Sequence, residues 1–202
     1  MITRVVDGAP QILLFRHPSA GIQFPAGTVE PGESADDAVL REAIEETDLF
    51  RFAGPVLLEV QEDTLTDNRH CVCRSSPLLH RADSDGATWG DLPRGIVVTE
   101  RDREAGFLQI SYEERDLTSG ELLAAHVGWV DAGALGRVRR RSFYHLRLRE
   151  PARETWWVQT DGHRFELFWA DPRLPATRQA IVAPQQTWLD VLLRSESFTH
   201  EV

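Results

Sequence analysis

The chain has 202 residues, enough for one sizeable core and roughly one domain plus an insertion. Its formal net charge of −10 argues against a broad nucleic-acid-binding surface, which needs basic patches, yet leaves nucleotide substrates open, because a bridging metal ion can bring an anionic substrate to an anionic site. It contains no lysine, which excludes Schiff-base chemistry and a Walker lysine and makes every fixed side-chain cation an arginine.

The first predicted element is a buried strand over 11–16, Gln-Ile-Leu-Leu-Phe-Arg. Arg16 and His17 end it and are candidate substrate contacts, for a phosphate or a base, although a strand-end pair of this kind is commonly just solvated. Phe24-Pro25-Ala26-Gly27 then leads into the most informative stretch, 27–49. Pro31-Gly32 is a turn signal, and Ser34 with Asp37 three residues on is a capping-box start, so a helix is expected from about Ala35 to Asp48. Within it Val39, Leu40, Ala43 and Ile44 form an apolar stripe. Glu42, Glu45 and Glu46 stand at i, i+3 and i+4 and converge on one face. Like charges at that spacing weaken a bare helix, so a compensating hard divalent cation with oxygen ligands is the natural candidate. Arg41 can steady a carboxylate of the cluster, or Glu33, with a bidentate bond. The bland alternative is a surface helix with a solvated acidic face.

At these residues the chain resembles the Nudix hydrolase family. Gly27, Glu33, Arg41, Glu42, Ala43, Glu45, Glu46 and Leu49 stand at the positions of the family signature, and Asp48 replaces its glycine. Asp tolerates a left-handed conformation better than most residues, so that departure touches the loop geometry more than the ligands. The resemblance implies an α/β fold, an α/β/α sandwich around a mixed sheet, and a metal-dependent hydrolase. Such an enzyme cleaves the pyrophosphate bond of a nucleoside diphosphate linked to another moiety. It implies Mg²⁺ or Mn²⁺ as cofactor, held by Glu42, Glu46, Glu45 and the Gly27 carbonyl, with Glu45, Arg41 and Glu33 as catalytic residues. The alternative is a catalytically silent module of the same fold that senses or binds a nucleotide. A separate general base could be Glu45 or a carboxylate outside the signature, with Glu166, Glu113 and Glu114 as candidates; Glu166 joins Arg16 and His17 as a substrate-binding candidate.

Beyond the signature a strand is expected over 56–61. Cys71 and Cys73 are too close in an extended segment for a disulfide framework; with His70 and His80 they could complete a zinc set, but the spacing favours two ordinary strand cysteines. The pattern is irregular between residues 75 and 95, and short strands follow over 95–100, 107–112 and 127–130. The run 86–135, closing with Gly128-Trp129-Val130-Asp131-Ala132-Gly133-Ala134-Leu135, resembles a small bacterial Src-homology-type β-barrel or, equally, an elaborated β-hairpin arm. It is expected as an insertion in a single domain over 1–202. The basic run Arg137, Arg139, Arg140 and Arg141 reads as a solvated face in preference to an anion site.

The main fold is expected to resume with a strand over 143–148, then 156–159 pairing with 165–169 across an Asp161-Gly162 turn, and a closing helix over 185–193 with Trp188, Leu189, Leu192 and Leu193 as its apolar face. Trp156, Trp157 and Trp169 could stack a nucleobase, though strand tryptophans are mostly core. No secretory h-region follows Met1 and no apolar run approaches the roughly 18 residues of a membrane span, so a cytoplasmic protein is expected, with a small-molecule nucleotide substrate, no membrane partner and a homodimer as the oligomeric option.

Overall fold

The computed structural model describes residues 1–18, 20–117, 119–160 and 163–199. In chain order the elements are β1 (Ile2–Val6), β2 (Ala9–His17), β3 (Gly21–Gln23), α1 (Ala35–Thr47) and β4 (Phe52–Thr64). Then come β5 (Arg69–Val72), β6 (Ser76–Leu79), β7 (Thr88–Leu92), β8 (Val97–Glu104), β9 (Phe107–Arg115), β10 (Leu122–Asp131) and β11 (Leu135–Gly136). The chain closes with β12 (Val138–Leu148), β13 (Thr155–Thr160), β14 (His163–Ala170), α2 (Pro175–Ala180), α3 (Gln186–Leu193) and α4 (Glu196–Thr199). Among the described residues no helix is long and apolar enough to cross a membrane.

Contacts divide the chain into two compact units. The first comprises Met1–Val60, Leu117–Ser119 and Ser142–Val202. Its sheet runs β13-β14-β2-β1-β12-β4, with β3 added on β2. β1 and β12 are parallel, whereas β2 is antiparallel to β1, β3 and β14, so the sheet is mixed. The uninterrupted apolar run of β2 has a simple cause, since both faces of that strand are covered. Leu13 and Phe15 enter one cluster with Leu146, Trp156, Leu167 and Ala43 of α1, while Ile12 and Leu14 enter another with Phe24, Ile181 and Leu189 and Leu192 of α3. Adjacent residues of a strand point to opposite faces, so α1 and α3 lie on opposite sides of the sheet and the unit is an α/β/α sandwich.

The expected strands 56–61 and 143–148 are interior parts of β4 and β12, and 156–159 pairs with 165–169 in the register Trp156↔Leu167 and Val158↔Phe165. The Asp161-Gly162 turn lies outside the described residues. On α1 the core-facing residues are Ala43 with Val39 and Leu40, joined by buried Ala38 and Thr47; Ile44 stays half-buried outside that cluster. The face of α3 is as expected, with Val191 buried as well.

The second unit comprises Gln61–Asp116 and Gly120–Arg141, with strand order β11-β5-β8-β9-β10-β6-β7. Inward residues of successive strands, Val72, Val98, Leu108, Ile110 and Val130, close its own apolar cluster with Leu78 and Leu92. The unit is wider than the expected 86–135, because β5 pairs with β8 and β11, and β6 pairs with β10 and β7. The stretch between residues 75 and 95, irregular by its sequence pattern, therefore carries two strands, β6 and β7. The basic run is paired within this unit: Arg139 and Arg141 both donate to Asp63 at 2.8 Å, Arg140 stands 3.8 Å from Glu62 and Arg137 4.0 Å from Glu100. His70 is buried and bonded to Glu100 at 2.7 Å, Cys71 is buried, and Cys73 is exposed. Among the described residues these side chains and His80 do not form a metal-ligand group.

Candidate active site

The signature helix α1 begins as its sequence dictates. Ser34 is extended, its Oγ accepts from the Asp37 amide at 3.1 Å, and the same hydroxyl donates to the Asp37 carboxylate at 2.6 Å. A capping side chain of this kind satisfies a helix-end donor that would otherwise be orphaned. The helix ends at Asp48, which takes the left-handed conformation (φ 57, ψ 31) and donates its amide to the Ile44 carbonyl at 2.9 Å. The Trp156 indole donates to the Thr47 carbonyl at 2.8 Å, which fixes the last turn to β13.

Before the helix, the loop is held against it by the carboxylates themselves. The Ala26 amide donates to Glu46 at 2.9 Å and the Thr28 amide to Glu42 at 3.0 Å. A Cβ placed on Gly27, between those two amides, would overlap the Glu42 carboxylate, so only glycine lets the backbone lie there. Arg41 joins the remaining groups. Its Nε and Nη2 donate to the two oxygens of Glu33 at 2.9 and 3.1 Å, Nη2 also donates to the Thr28 carbonyl at 3.1 Å, and Nη1 donates to Glu45 at 3.0 Å and lies 3.0 Å from Glu42. The sequence left open whether Arg41 serves the cluster or Glu33; it serves both.

The electrostatics follow. Hydrogen bonds from Arg41, and then from the Glu30 amide, hold the Glu33 carboxyl below the usual carboxylate range, and Glu33 in turn raises the affinity of Arg41 for its proton. The Arg41 guanidinium, 3.0 Å from both Glu42 and Glu45, offsets the repulsion that the i, i+3 spacing of those two creates.

Among the described residues no group of three or more His, Cys, Asp or Glu side chains is gathered so as to hold a metal ion. The donors nevertheless suit one. Glu42, Glu45 and Glu46 supply hard oxygens from one helix, and Gly27 brings a backbone segment directly against Glu42, a combination that matches Mg²⁺ or Mn²⁺. Glu42 is largely covered, its side chain 20% exposed, whereas Glu45 is 53% exposed.

The other candidates separate. Arg16 and Glu166 are directly opposed on β2 and β14 and meet at 3.3 Å. His17 points to the other face, its ring 5.2 Å from that of Phe165, and its Nδ1 accepts from the Ala20 amide at 3.0 Å. Trp156 is core and Trp169 packs against that core under Arg4, while Trp157 is exposed. Glu113 and Glu114 belong to the second unit, where Glu113 accepts from Arg115, and Glu114 accepts from Tyr112 and meets His126 at 3.0 Å. Gln185 had no signal in the sequence, yet its buried carboxamide accepts from the Phe24 amide at 2.7 Å and anchors the entry to the signature loop. A lone glutamine has no periodicity that would reveal it.

Comparison with protein-family models matches residues 2–75 to the NUDIX domain, a stretch that contains β1 to β5 and the whole of α1. No curated protein and no solved structure matches.

Proposed function

From the NUDIX domain that residues 2–75 carry, we propose that this protein is a metal-dependent hydrolase cleaving the pyrophosphate bond of a nucleoside diphosphate linked to another moiety. The domain supports a hydrolase of that general kind; the substrate class and the residue roles are our reading. The observation that carries it is the closed circuit of the signature, in which the Ala26 and Thr28 amides hold Glu46 and Glu42 while Arg41 holds Glu33 and Glu45. A merely solvated acidic face would have no such framework behind it.

Glu42 and Glu46, with Glu45 and the Gly27 carbonyl, are the groups that would hold Mg²⁺ or Mn²⁺. When bound, the cation supplies charge neutralisation at the diphosphate oxygens and a more acidic water near neutral pH. The chain's own residues do the rest. Glu45, the most exposed of the three helix carboxylates, is our candidate to accept a proton from an attacking water, a reading its exposure supports. Arg41 and Glu33 position the loop, and Arg41 favours the ionised form of Glu33. Arg16, His17 and Glu166 are our substrate-binding candidates beyond the diphosphate.

The test is release of phosphate or nucleoside monophosphate from a panel of nucleotide sugars, dinucleoside polyphosphates and nucleoside triphosphates, with and without Mg²⁺. Turnover that needs the cation is expected. Tight nucleotide binding with no turnover across the panel would identify a binding module and remove the hydrolase reading.

A further inference from the structure

One cavity of the first unit has no part in the signature. Its volume is about 130 Å³, and it is lined by Ala53, Gly54 and Val56 of β4, His145 and Arg147 of β12, and Ser197 of α4. That is several times the roughly 30 Å³ share of one water in the liquid, room enough for a small polyatomic ligand. His145, 3% exposed, is its floor; Gly54 and Val56 are an exposed rim, with Arg147 and Ser197 half-buried between. β4 comes this close to β12 because Gly54, at φ 109, has no Cβ, which would lie 2.8 Å from the His145 carbonyl oxygen. The cavity lies across the sheet from the carboxylate cluster. Leu146 packs with Ala43 of α1, whereas His145, next to it on β12, points the other way, to α4, where Ser197 bonds it and Phe198 joins the α3 cluster.

The polar lining is one-sided. Among the described residues that line the cavity none is acidic, although the chain carries 32 acids against 22 arginines. Arg147 is a fixed cation that only donates, and Ser197 adds a hydroxyl. His145 bridges the Thr3 and Ser197 hydroxyls at 2.7 and 2.9 Å. Burial, and after it the charges of the Met1 amino group and of Arg147, push the imidazole pKa down to about 4. Both of those charges are positive, and an anion placed beside them would offset them. We propose that the cavity is an oxyanion site separate from the signature, taking a small tetrahedral anion of the phosphate kind between the Arg147 guanidinium and the Ser197 hydroxyl, above the His145 ring. A guanidinium fork pairs two oxygens of such an ion at once, and a hydroxyl donates to a third. A free phosphate ion and the phosphate end of a monoester share this chemistry. The site uses neither a metal nor the carboxylates of α1, so it stands whether or not the protein is a hydrolase.

The experiment is calorimetric titration of the full chain with inorganic phosphate, sulfate and glycerol phosphate, in chelator so that no divalent cation bridges an anion to α1. A Kd of about 1 mM or tighter is expected for phosphate and sulfate. Arg147→Gln should weaken both about tenfold or more, Arg147→Lys less, because it keeps the charge without the fork, and Ser197→Ala several-fold. In the wild type, phosphate should also shift the NMR signals of the His145 ring, identified by their loss in His145→Asn, a reading that does not depend on an Arg147 variant folding. Glycerol phosphate binding with the same sensitivity to Arg147→Gln would assign a monoester source, and its exclusion would assign the free ion; both keep the site. No detectable binding of either inorganic anion would overturn it. So would binding that folded Arg147→Gln and Ser197→Ala leave unchanged, or His145 signals that do not move at saturation.

Discussion

Arg41 grips Glu33 with two parallel bonds, Nε to Oε1 at 2.9 Å and Nη2 to Oε2 at 3.1 Å, from eight residues along the chain. A lysine keeps the charge but has no fork, so Arg41→Lys should loosen the loop while leaving the helix formed. In the wild type the Glu33 carboxyl is held low by Arg41, so its contribution to stability is present above the ordinary carboxylate pKa and is lost as pH falls through the depressed one. The variant should therefore be less stable than the wild type near neutral pH and lose less stability on acidification, so that the two curves converge in acid. Melting curves between neutral pH and pH ~3 check this; curves that stay parallel over that range would show that the pair does not matter to folding.

Glu46→Gln should lower the turnover rate by more than about a hundredfold, because a neutral amide keeps the shape but not the charge of a metal ligand. The Gln side chain can still accept from the Ala26 amide, so the fold should survive. Full activity in chelator, or near-wild-type turnover by the variant at saturating Mg²⁺, would contradict the assignment.

Asp48→Gly should raise stability by up to about 1 kcal/mol, since the residue sits at φ 57 and glycine adopts that conformation without steric penalty. Its side chain is not needed for the cap, which the backbone amide makes to Ile44. Denaturant midpoints measure the gain, and Mn²⁺ titration should show unchanged affinity. A large loss of metal binding would instead make Asp48 part of the site.

His145 is buried between β1 and α4, 2.7 Å from the Thr3 hydroxyl and 2.9 Å from that of Ser197, and burial pushes its pKa down to about 4. The unfolded chain takes up this proton first, so the neutral form's contribution is full above pH ~6.5 and declines as pH falls towards 4, by on the order of 3 kcal/mol. His145→Asn, which cannot titrate, should be weaker at pH 7 but lose less between pH 7 and 4.5. Urea unfolding at the two pH values checks the difference in slope.

Excision separates the two ways of drawing the insertion. Removing 86–135 takes away β7, β8, β9 and β10 and half of β11, and leaves β5 and β6 without their strand partners, so that product should aggregate. Removing 61–141 and joining the ends with a Gly-Ser linker removes the apolar cluster of the second unit and leaves both clusters of the first intact. It should be soluble and still bind Mn²⁺. An unfolded product would mean that the first unit does not fold without the second.

The site was legible in the sequence to the extent that it is local. Ser34, Asp37 and the i, i+3, i+4 spacing of the glutamates all act within one helix, and their partners lie within twenty residues. Elements that exist through distant pairing were not. β1 is only five residues long and gains its place from β2 and, at Ile2↔Leu146, from β12. β5 and β6 are four residues each, and β8 and β10, with which they pair, lie beyond the irregular stretch. The basic run 137–141 read as solvated because Asp63 and Glu100, the acids that engage it, are far away in sequence. Arg16 and Glu166 were singled out separately; only the register made them neighbours.

The parallel pairing of β1 with β12 also sets an order of events during translation. β1 lies between β2 and β12, so the middle of the first sheet cannot close until synthesis has passed Leu148, whereas the last residue of the second unit, Arg141, is made earlier. At ~5–20 residues per second the finished signature helix waits on the order of ten seconds for the strand that completes its sheet. During that interval the apolar residues of β2 lack half of their eventual cover, which makes the nascent chain, more than the mature protein, the form that chaperones would meet.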